Sequence, residues 1–134
     1  MTRTPVTVLT YGSFDMFDQG DVRLLQRLSQ LGDTLIVGCA TDAYTRARGI
    51  HCTMPFVRRR EVLEACRFVS RVIPETSFDQ KRSDIVNYDV SVFAMDDRWT
   101  GQFDDLGDLT RVIYLPYASD LTPEEPFQRQ ISAA

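Results

Sequence analysis

The run Leu-Ile-Val-Gly-Cys-Ala at residues 35–40 most constrains the fold, because it is apolar on both faces of any strand that it forms. Strands of this kind lie inside parallel sheets, where helices cover both faces. Four more β-rich runs occur at 6–10, 71–74, 90–95 and 111–115. Helical signals fall between them at 57–68, at 81–87 and at Val22, Leu25, Leu28 and Leu31, with Gly32 as the expected C-cap.

This alternation of strands and helices predicts an α/β fold with a Rossmann-like, doubly wound parallel five-stranded sheet and helices on both faces. At 134 residues the chain is expected to form a single domain over residues 1–134. Ligands of such sheets bind beyond the carboxyl ends of the strands. The longest irregular stretch, 44–55, is a candidate mobile loop over that crevice. A short C-terminal helix is predicted to start at Thr122, with Phe127 and Ile131 as anchors.

Composition excludes several classes of partner. The net charge is −4 without clustered lysines, which argues against nucleic-acid and anionic-membrane binding, and the basic run 58–60 is expected to be a solvated face or a small-anion contact. No signal-peptide core or membrane span is found, so a cytoplasmic protein is expected. The three cysteines are widely spaced, which argues against a disulfide framework or zinc site, and Cys39 and Cys66 are expected to be buried thiols.

Residues 10–21, Thr-Tyr-Gly-Ser-Phe-Asp-Met-Phe-Asp-Gln-Gly-Asp, have the outline of a nucleotide-binding turn. A strand that runs into a glycine-bearing turn and then a helix offers free backbone N–H groups and the positive end of a helix dipole, which suits a phosphate. Two carboxylates, Asp18 and Asp21, stand at this helix start. They would repel a polyphosphate unless a cation lay between them.

The turn resembles the signature of the glycerol-3-phosphate cytidylyltransferase family, Tyr-Gly-Thr-Phe-Asp-x-x-His-x-Gly-His. The resemblance extends without gaps through Pro116 and includes segments 31–33, 72–75, 89–90, 99–104 and 112–116. Asp18 and Asp21 stand where the family has the two histidines that hold the triphosphate. Because His51 is the only histidine of the chain, a monomer cannot assemble such a pair elsewhere.

The resemblance implies a set of ligand-binding positions, a homodimer and a small-molecule ligand such as CTP or a polyol phosphate. The implied ligand-binding residues are Tyr11, Gly12, Ser13, Phe14, Asp15, Gly20, Arg59, Asp97, Trp99 and Thr122. Asp18 and Asp21 are the degenerate catalytic positions and the candidate metal ligands, with Mg²⁺ as the candidate cation. No residue is assigned as catalytic.

Other departures from the family fall at positions that contact phosphate in relatives. The loop lysine of relatives falls near Ile50 and His51, where no lysine remains. The family's Met-Gly-Asp-Asp-Trp is replaced by Met-Asp-Asp-Arg-Trp at residues 95–99, which adds the Asp96 side chain where the backbone normally approaches the ligand. After Pro116, only Thr122 keeps a hydroxyl at a matching position. These losses imply impaired nucleotidyl transfer.

Several of these residues also have purely structural interpretations. Gly12 could permit close approach of strand and helix, and Asp15 could satisfy backbone donors. Asp21 could be the helix N-cap or a first-turn acid. Trp99 could be a packing or interface residue, and His51 is expected to be exposed.

Three functions stay open. The leading one is a degenerate homologue, a pseudoenzyme, that serves as a small-ligand-binding or assembly protein. The alternative is an active CTP-dependent nucleotidyltransferase that makes a CDP-polyol with Mg²⁺ held by Asp18, Asp21 or Asp97. The third is another reaction on the same scaffold.

Overall fold

The computed structural model describes residues 4–116, and they build a five-stranded, entirely parallel sheet. Its strands are β1 (Thr7–Gly12), β2 (Thr34–Ala40), β3 (Arg71–Glu75), β4 (Val92–Asp96) and β5 (Arg111–Leu115). They lie in the order β3-β2-β1-β4-β5, so the apolar run of β2 pairs with a strand on each side. The predicted Rossmann-like α/β fold is confirmed.

Four helices connect or flank these strands. They are α1 (Gln19–Ser29), α2 (Asp42–Ala47), α3 (Phe56–Ala65) and α4 (Lys81–Asn87), and α4 has its predicted bounds. Short 3₁₀ helices follow at Phe78–Gln80, Asp97–Trp99 and Asp104–Asp108. None of the helices within residues 4–116 has the length and apolar character needed to cross a membrane.

The sheet separates two apolar cores because alternate residues of each strand point to opposite faces. Val8 and Val37 pack with the buried leucines of α1 and α3 on one face. Leu9 and Phe93 pack with α4 and with Phe103 on the other. Both faces of the sheet are therefore covered, as the apolar strand predicted.

The prediction that residues 44–55 form one irregular loop is wrong at its start, where α2 forms. The Thr41 hydroxyl accepts a hydrogen bond from the Tyr44 backbone N–H and caps this helix. With six residues, α2 is too short to show helical periodicity, so only its cap signalled it.

Two helix ends also differ from the prediction. α1 ends at Ser29 with Gln30 as its C-cap, so Gly32 does not cap it. Gly32 is instead needed for close approach, because a Cβ atom there would lie 2.6 Å from the Val6 carbonyl oxygen. α3 ends at Ala65 rather than 68, since Cys66 is already extended. Cys66 is only half-buried, whereas Cys39 is buried as predicted. The helix predicted from Thr122 lies outside the described residues.

Gly38 of β2 yields a first prediction, because it makes room for the ring of Tyr11 on β1. An alanine Cβ at Gly38 would overlap the Tyr11 ring, which is itself held by Asp84. We expect Gly38→Ala to lower the free energy of unfolding by about 1–3 kcal/mol, as overpacking does. Gly107→Ala is the control, since nothing lies within 4 Å of a Cβ there. Urea denaturation of both variants measures the difference, and equal losses would contradict the steric argument.

Candidate functional site

Two adjoining pockets lie at the carboxyl ends of the strands, where ligands bind in such sheets. The inner pocket, about 130 Å³, is lined among others by Tyr44, Arg48, Glu75, Lys81, Met95 and Phe103. The turn pocket, about 260 Å³, is lined by Thr10, Phe14, Asp15, Asp21, Asp96 and Arg98. Tyr11, Gly12, Ser13 and Trp99 line both pockets, so the two form one continuous crevice.

The structure brings many of the sequence-predicted residues together in the turn pocket. Those lining it are Tyr11, Gly12, Ser13, Phe14, Asp15, Asp21 and Trp99. Asp18, Gly20, Arg59 and Asp97 do not line it: Asp18 and Asp97 are exposed, Gly20 lies within α1, and Arg59 is buried behind the turn. Thr122 lies outside the described residues. Whether any of these residues contacts a ligand stays a prediction.

The turn after β1 has an unusual backbone. Phe14 and Met16 both have a φ of 51°, in the left-handed region that residues with a Cβ seldom adopt. A Cβ atom at Gly12 would lie 2.8 Å from the Phe14 ring, which explains the glycine. Conformations of this kind concentrate at binding and catalytic sites, so this backbone is consistent with a site at the turn.

Asp18 and Asp21 cap the start of α1 reciprocally. The Asp18 carboxylate accepts from the Asp21 backbone N–H, and the Asp21 carboxylate accepts from the Asp18 backbone N–H, each at 3.1 Å. Asp18 is therefore the N-cap, and Asp21 is the first-turn acid, one of its two predicted structural roles. These carboxylates occupy two of the backbone donors with which a helix start binds phosphate.

The carboxylate of Asp21 is held in an unfavourable setting. Burial, together with the charge of Asp18, raises its pKa from the ordinary 3.8 to about 6. The Asp18 backbone N–H and the charge of Arg98 act in the opposite direction without cancelling this rise. An ionised Asp21 is therefore unfavourable in the turn pocket before any ligand enters, mainly because it is buried and in part because Asp18 is close.

Asp96 and Arg98 form a local ion pair on the other side of the turn pocket. Arg98 Nε and Nη2 donate to the two oxygens of the buried Asp96 carboxylate at 2.9 and 2.8 Å. A fork of this geometry is a strong pairing. Much of the positive charge of Arg98 is therefore neutralised within the pocket wall.

Arg59 holds together the loops that surround the turn. It is 1% exposed, and its Nη1 donates to the backbone carbonyls of Ser13 and Ala40 at 2.9 and 2.7 Å. Its Nε donates to the Met54 carbonyl, and its Nη2 pairs with Asp42 at 2.9 Å. Arg59 thus differs from the exposed Arg58 and Arg60 beside it.

Two carboxylates complete this arrangement of loops. Asp15 accepts from the backbone N–H groups of Thr53 and Met54, at 2.7 and 2.9 Å. Burial opposes ionisation of Asp15, but these donors outweigh it and lower the pKa. The Asp42 carboxylate accepts a hydrogen bond from the Phe56 backbone N–H. This bond is the main reason why the pKa of Asp42 is lowered, and Arg59 adds to the effect. Asp15 therefore satisfies backbone donors, but chiefly those of the loop before α3 rather than those of the turn, where the structural interpretation placed them.

The inner pocket contains a buried ion pair that the sequence analysis missed. Lys81 and Glu75 are each 5% exposed, and Lys81 Nζ lies 3.2 Å from Glu75 Oε2. The ammonium group also donates to the Phe78 carbonyl and lies 4.1 to 5.4 Å from the ring centroids of Phe78, Tyr11 and Phe103. Burial raises the pKa of Glu75 and lowers that of Lys81. Such a pair contributes little net stability, which favours a functional role.

A second set of contacts fixes the wall of the inner pocket. The Tyr11 hydroxyl donates to Asp84 Oδ2, and the Gln80 amide donates to the same oxygen at 2.8 Å. Burial and the Asp84 carboxylate both raise the pKa of Tyr11, so its hydroxyl stays protonated. Tyr11 is thus a fixed wall between the two pockets.

Comparisons with known proteins agree with this geometry. The family model described as cytidylyltransferase-like matches residues 9–127. The chain belongs to the cytidylyltransferase-like family. It is 41% identical to the glycerol-3-phosphate cytidylyltransferase of Bacillus subtilis (strain 168) over 109 residues, which cover 81% of this chain and 84% of that protein. The corresponding enzyme of Staphylococcus aureus is 40% identical over 108 residues, covering 81% and 82%.

A solved structure supports the fold alone. The lipopolysaccharide core biosynthesis protein of Thermoplasma volcanium GSS1 superposes with a TM-score of 0.71 at 18% identity. The match covers 85% of this chain and 98% of that protein. The doubly wound sheet is thus common to distant proteins, whereas the two pockets have to be interpreted from this chain's own residues.

Within this family fold, sequence reasoning missed four residues of the inner pocket: Tyr44, Arg48, Glu75 and Lys81. Two signals could have found the buried pair. Lys81 is the only lysine of the chain, and Glu75 ends a strand at the edge where ligands bind. Tyr44 and Arg48 belong to the segment that was predicted to be an irregular loop, so they carried no such signal.

The residues at the turn do not fit a metal held by Asp18 and Asp21. Each of these carboxylates is engaged in the capping box, with a backbone N–H on one oxygen. Across residues 4–116, no group of three or more His, Cys, Asp or Glu side chains is arranged to hold a metal ion. The Mg²⁺ assignment stays a prediction that the capping box argues against.

Arg59 gives a prediction of stability. Arg59→Met keeps the aliphatic volume but leaves several buried carbonyls and Asp42 without their donor, so we expect unfolding to become easier by about 3 kcal/mol or more. Arg60→Met is the matched control, because Arg60 is half-exposed and pairs with Glu64 only at the surface. It is expected to change stability by less than about 0.5 kcal/mol. Guanidinium denaturation measures both, and similar losses would refute the role of Arg59.

Asp21 gives a prediction of pH dependence. The pKa of Asp21 is higher in the folded chain than in the unfolded chain, so the folded state holds the Asp21 proton more tightly. The resulting stabilisation is fully present below about pH 3.8 and is lost as the pH rises through about 6. Asp21→Asn keeps an oxygen acceptor for the cap and removes the charge. We therefore expect it to melt several degrees higher than the wild type at pH 8 and similarly at pH 4.

Asp105→Asn is the control for this charge change, because Asp105 is exposed and does not line the turn pocket. Differential scanning calorimetry between pH 4 and pH 8 measures all three proteins. A melting temperature for Asp21→Asn below that of the wild type at pH 8 would mean that the cap outweighs the charge crowding.

Proposed function

We propose that this protein binds a small phosphorylated polyol in the inner pocket and has lost ordinary cytidylyl transfer. The observation that carries the proposal is the reciprocal capping of α1 by Asp18 and Asp21. In a working site of this type the helix start has to meet the phosphates of a nucleotide. Here carboxylates already occupy two of its backbone donors, and they repel a triphosphate.

The charge of the turn pocket supports the loss of transfer. Asp15, Asp21 and Asp96 line it, and Arg98, its arginine, is paired with Asp96. Nucleotidyl transfer relies on cations and N–H groups that stabilise charge on the phosphoryl group in the transition state. Removal of one such donor lowers the rate about 100- to 1,000-fold. A pocket that has replaced donors by acids is expected to lose more.

The inner pocket supports retained binding of a phosphate ester. Arg48 lines it from an exposed position, and Lys81 lies deeper beside Glu75, the carboxylate of the lining. Asp84 also acts on Lys81 and Glu75 from behind Tyr11, so Arg48 is the cation that we propose for an anionic group of the ligand. The B. subtilis relative is named for glycerol 3-phosphate, which is therefore the ligand we propose to test first.

The alternative is an active CTP-dependent nucleotidyltransferase that makes a CDP-polyol with metal assistance. It would require Asp18 and Asp21 to leave the capping box and turn to Mg²⁺ beside a bound nucleotide. A homodimer and a cytoplasmic location are further proposals, which rest on the family resemblance and on composition.

Calorimetric titration combined with a transfer assay tests the proposal. We expect glycerol 3-phosphate to bind, CTP with Mg²⁺ to bind weakly, and CDP-glycerol formation at micromolar protein to be negligible. Turnover in the usual enzyme range of about 1 to 1,000 per second would refute the loss of transfer and favour the metal-assisted alternative. A CTP affinity that chelator leaves unchanged would speak against that alternative.

The double change Asp18→His with Asp21→His serves as the gain-of-function arm. It replaces two carboxylates by imidazoles at the positions where the family signature that this turn resembles has its two histidines. If the acidic turn is the main obstacle, CTP binding improves while glycerol 3-phosphate binding stays unchanged. Equal CTP affinity in both proteins would mean that the other departures disable the turn pocket independently.

A further inference from the structure

The Tyr44 hydroxyl is a buried polar group whose proton has no acceptor. Tyr44 is 7% exposed, its hydroxyl makes no hydrogen bond of ordinary geometry among residues 4–116, and the neighbouring Arg48 side chain can act on it only as a donor. Arg48 lies over the ring, with Cζ 5.4 Å from the centroid. Buried hydroxyls are normally satisfied, because leaving one unpaired is unfavourable. Tyr44 lines the inner pocket, so a ligand there can supply the missing partner.

Glu75 offers a second polar group to the same pocket. Its Oε2 binds Lys81, whereas no hydrogen bond to Oε1 is formed within the described part of the chain. The charge of Glu75 contributes, after burial, to the raised pKa of Tyr44, so the two groups act on one another electrostatically. A phenol that stays protonated and a carboxylate oxygen together suit a ligand hydroxyl, which can accept from one and donate to the other.

The cations of the pocket determine which kind of ligand group fits. Lys81 already neutralises Glu75, and Arg48 adds a positive charge near Tyr44. An ammonium group placed beside Tyr44 and Glu75 would meet this positive charge. A neutral hydroxyl meets no such repulsion.

We infer that Tyr44 and Glu75 are specificity-determining residues that bind a neutral hydroxyl group of the ligand, while its phosphate lies toward Arg48. The inference rests on the proposed function, because it assumes that a phosphate ester occupies the inner pocket. It adds a selection rule: hydroxylated phosphate esters bind better than deoxygenated or amino-bearing ones, and Tyr44 enforces the difference.

Four ligands test this rule by calorimetry: glycerol 3-phosphate, n-propyl phosphate, phosphoethanolamine and inorganic phosphate. The wild type is expected to bind glycerol 3-phosphate about tenfold more tightly than n-propyl phosphate, which leaves Tyr44 and Glu75 without a partner, or phosphoethanolamine, whose ammonium group lies beside Arg48 and Lys81 and cannot accept from Tyr44. Tyr44→Phe is expected to remove most of this preference without changing the affinity for inorganic phosphate.

Glu75→Gln and Tyr88→Phe complete the design. Glu75→Gln frees the Lys81 charge, so inorganic phosphate binds more tightly while the preference for glycerol 3-phosphate falls. Tyr88→Phe removes a hydroxyl outside the pocket, where the ring stacks under Arg71, and is expected to change nothing. Melting temperatures verify that each variant folds. If Glu75→Gln does not fold, Tyr44→Phe alone suffices for the test.

The outcomes separate the two proposals. If glycerol 3-phosphate and n-propyl phosphate bind equally, or if Tyr44→Phe keeps the full preference, the selection rule is overturned and the phosphate-binding function stands. If the wild type binds none of the four ligands, both are overturned.

Discussion

The crevice depends on one buried guanidinium. Arg59 binds the carbonyl after β1, the last carbonyl of β2 and a carbonyl before α3, and it pairs with Asp42 at the start of α2. Loops at the carboxyl edge of a sheet carry backbone groups that the strands no longer satisfy. A planar group with five donors can satisfy several of them at once, which a lysine could not do. Arg59 therefore holds the path of the turn largely from behind, so side chains at the start of α1 can vary without removing this support.

That support explains how the acidic turn is tolerated. The backbone after β1 keeps two left-handed residues, and the loop before α3 is held by Asp15. With the frame fixed by these contacts, the start of α1 can carry carboxylates without a change in the path of the chain. The helix dipole and the reciprocal cap then stabilise the acids. The raised pKa of Asp21 shows that this stabilisation is incomplete.

The sheet was predictable from sequence because strands buried on both faces carry a strong local signal, as β2 and β4 do. The helix α2 and the role of Gly32 were not, since a six-residue helix has no periodicity and a glycine's close contact with Val6 is a tertiary property. At the site, the turn pocket followed from a contiguous motif. The inner pocket brings together Tyr44, Glu75 and Lys81 from three separate segments of the chain. No short sequence motif predicts that residues so far apart in sequence line one pocket.

The two pockets can therefore change independently, although they share a wall at Tyr11. The turn pocket depends on the cap of α1 and on the pair of Asp96 with Arg98. The inner pocket depends on Lys81, Glu75 and the anchoring of Tyr11 by Asp84. Because these two sets have no residue in common, acids can accumulate in the turn pocket without disturbing the cations of the inner pocket. A buried Lys–Glu pair contributes little to stability alone, so its presence at the carboxyl ends of the strands is consistent with a ligand in the inner pocket.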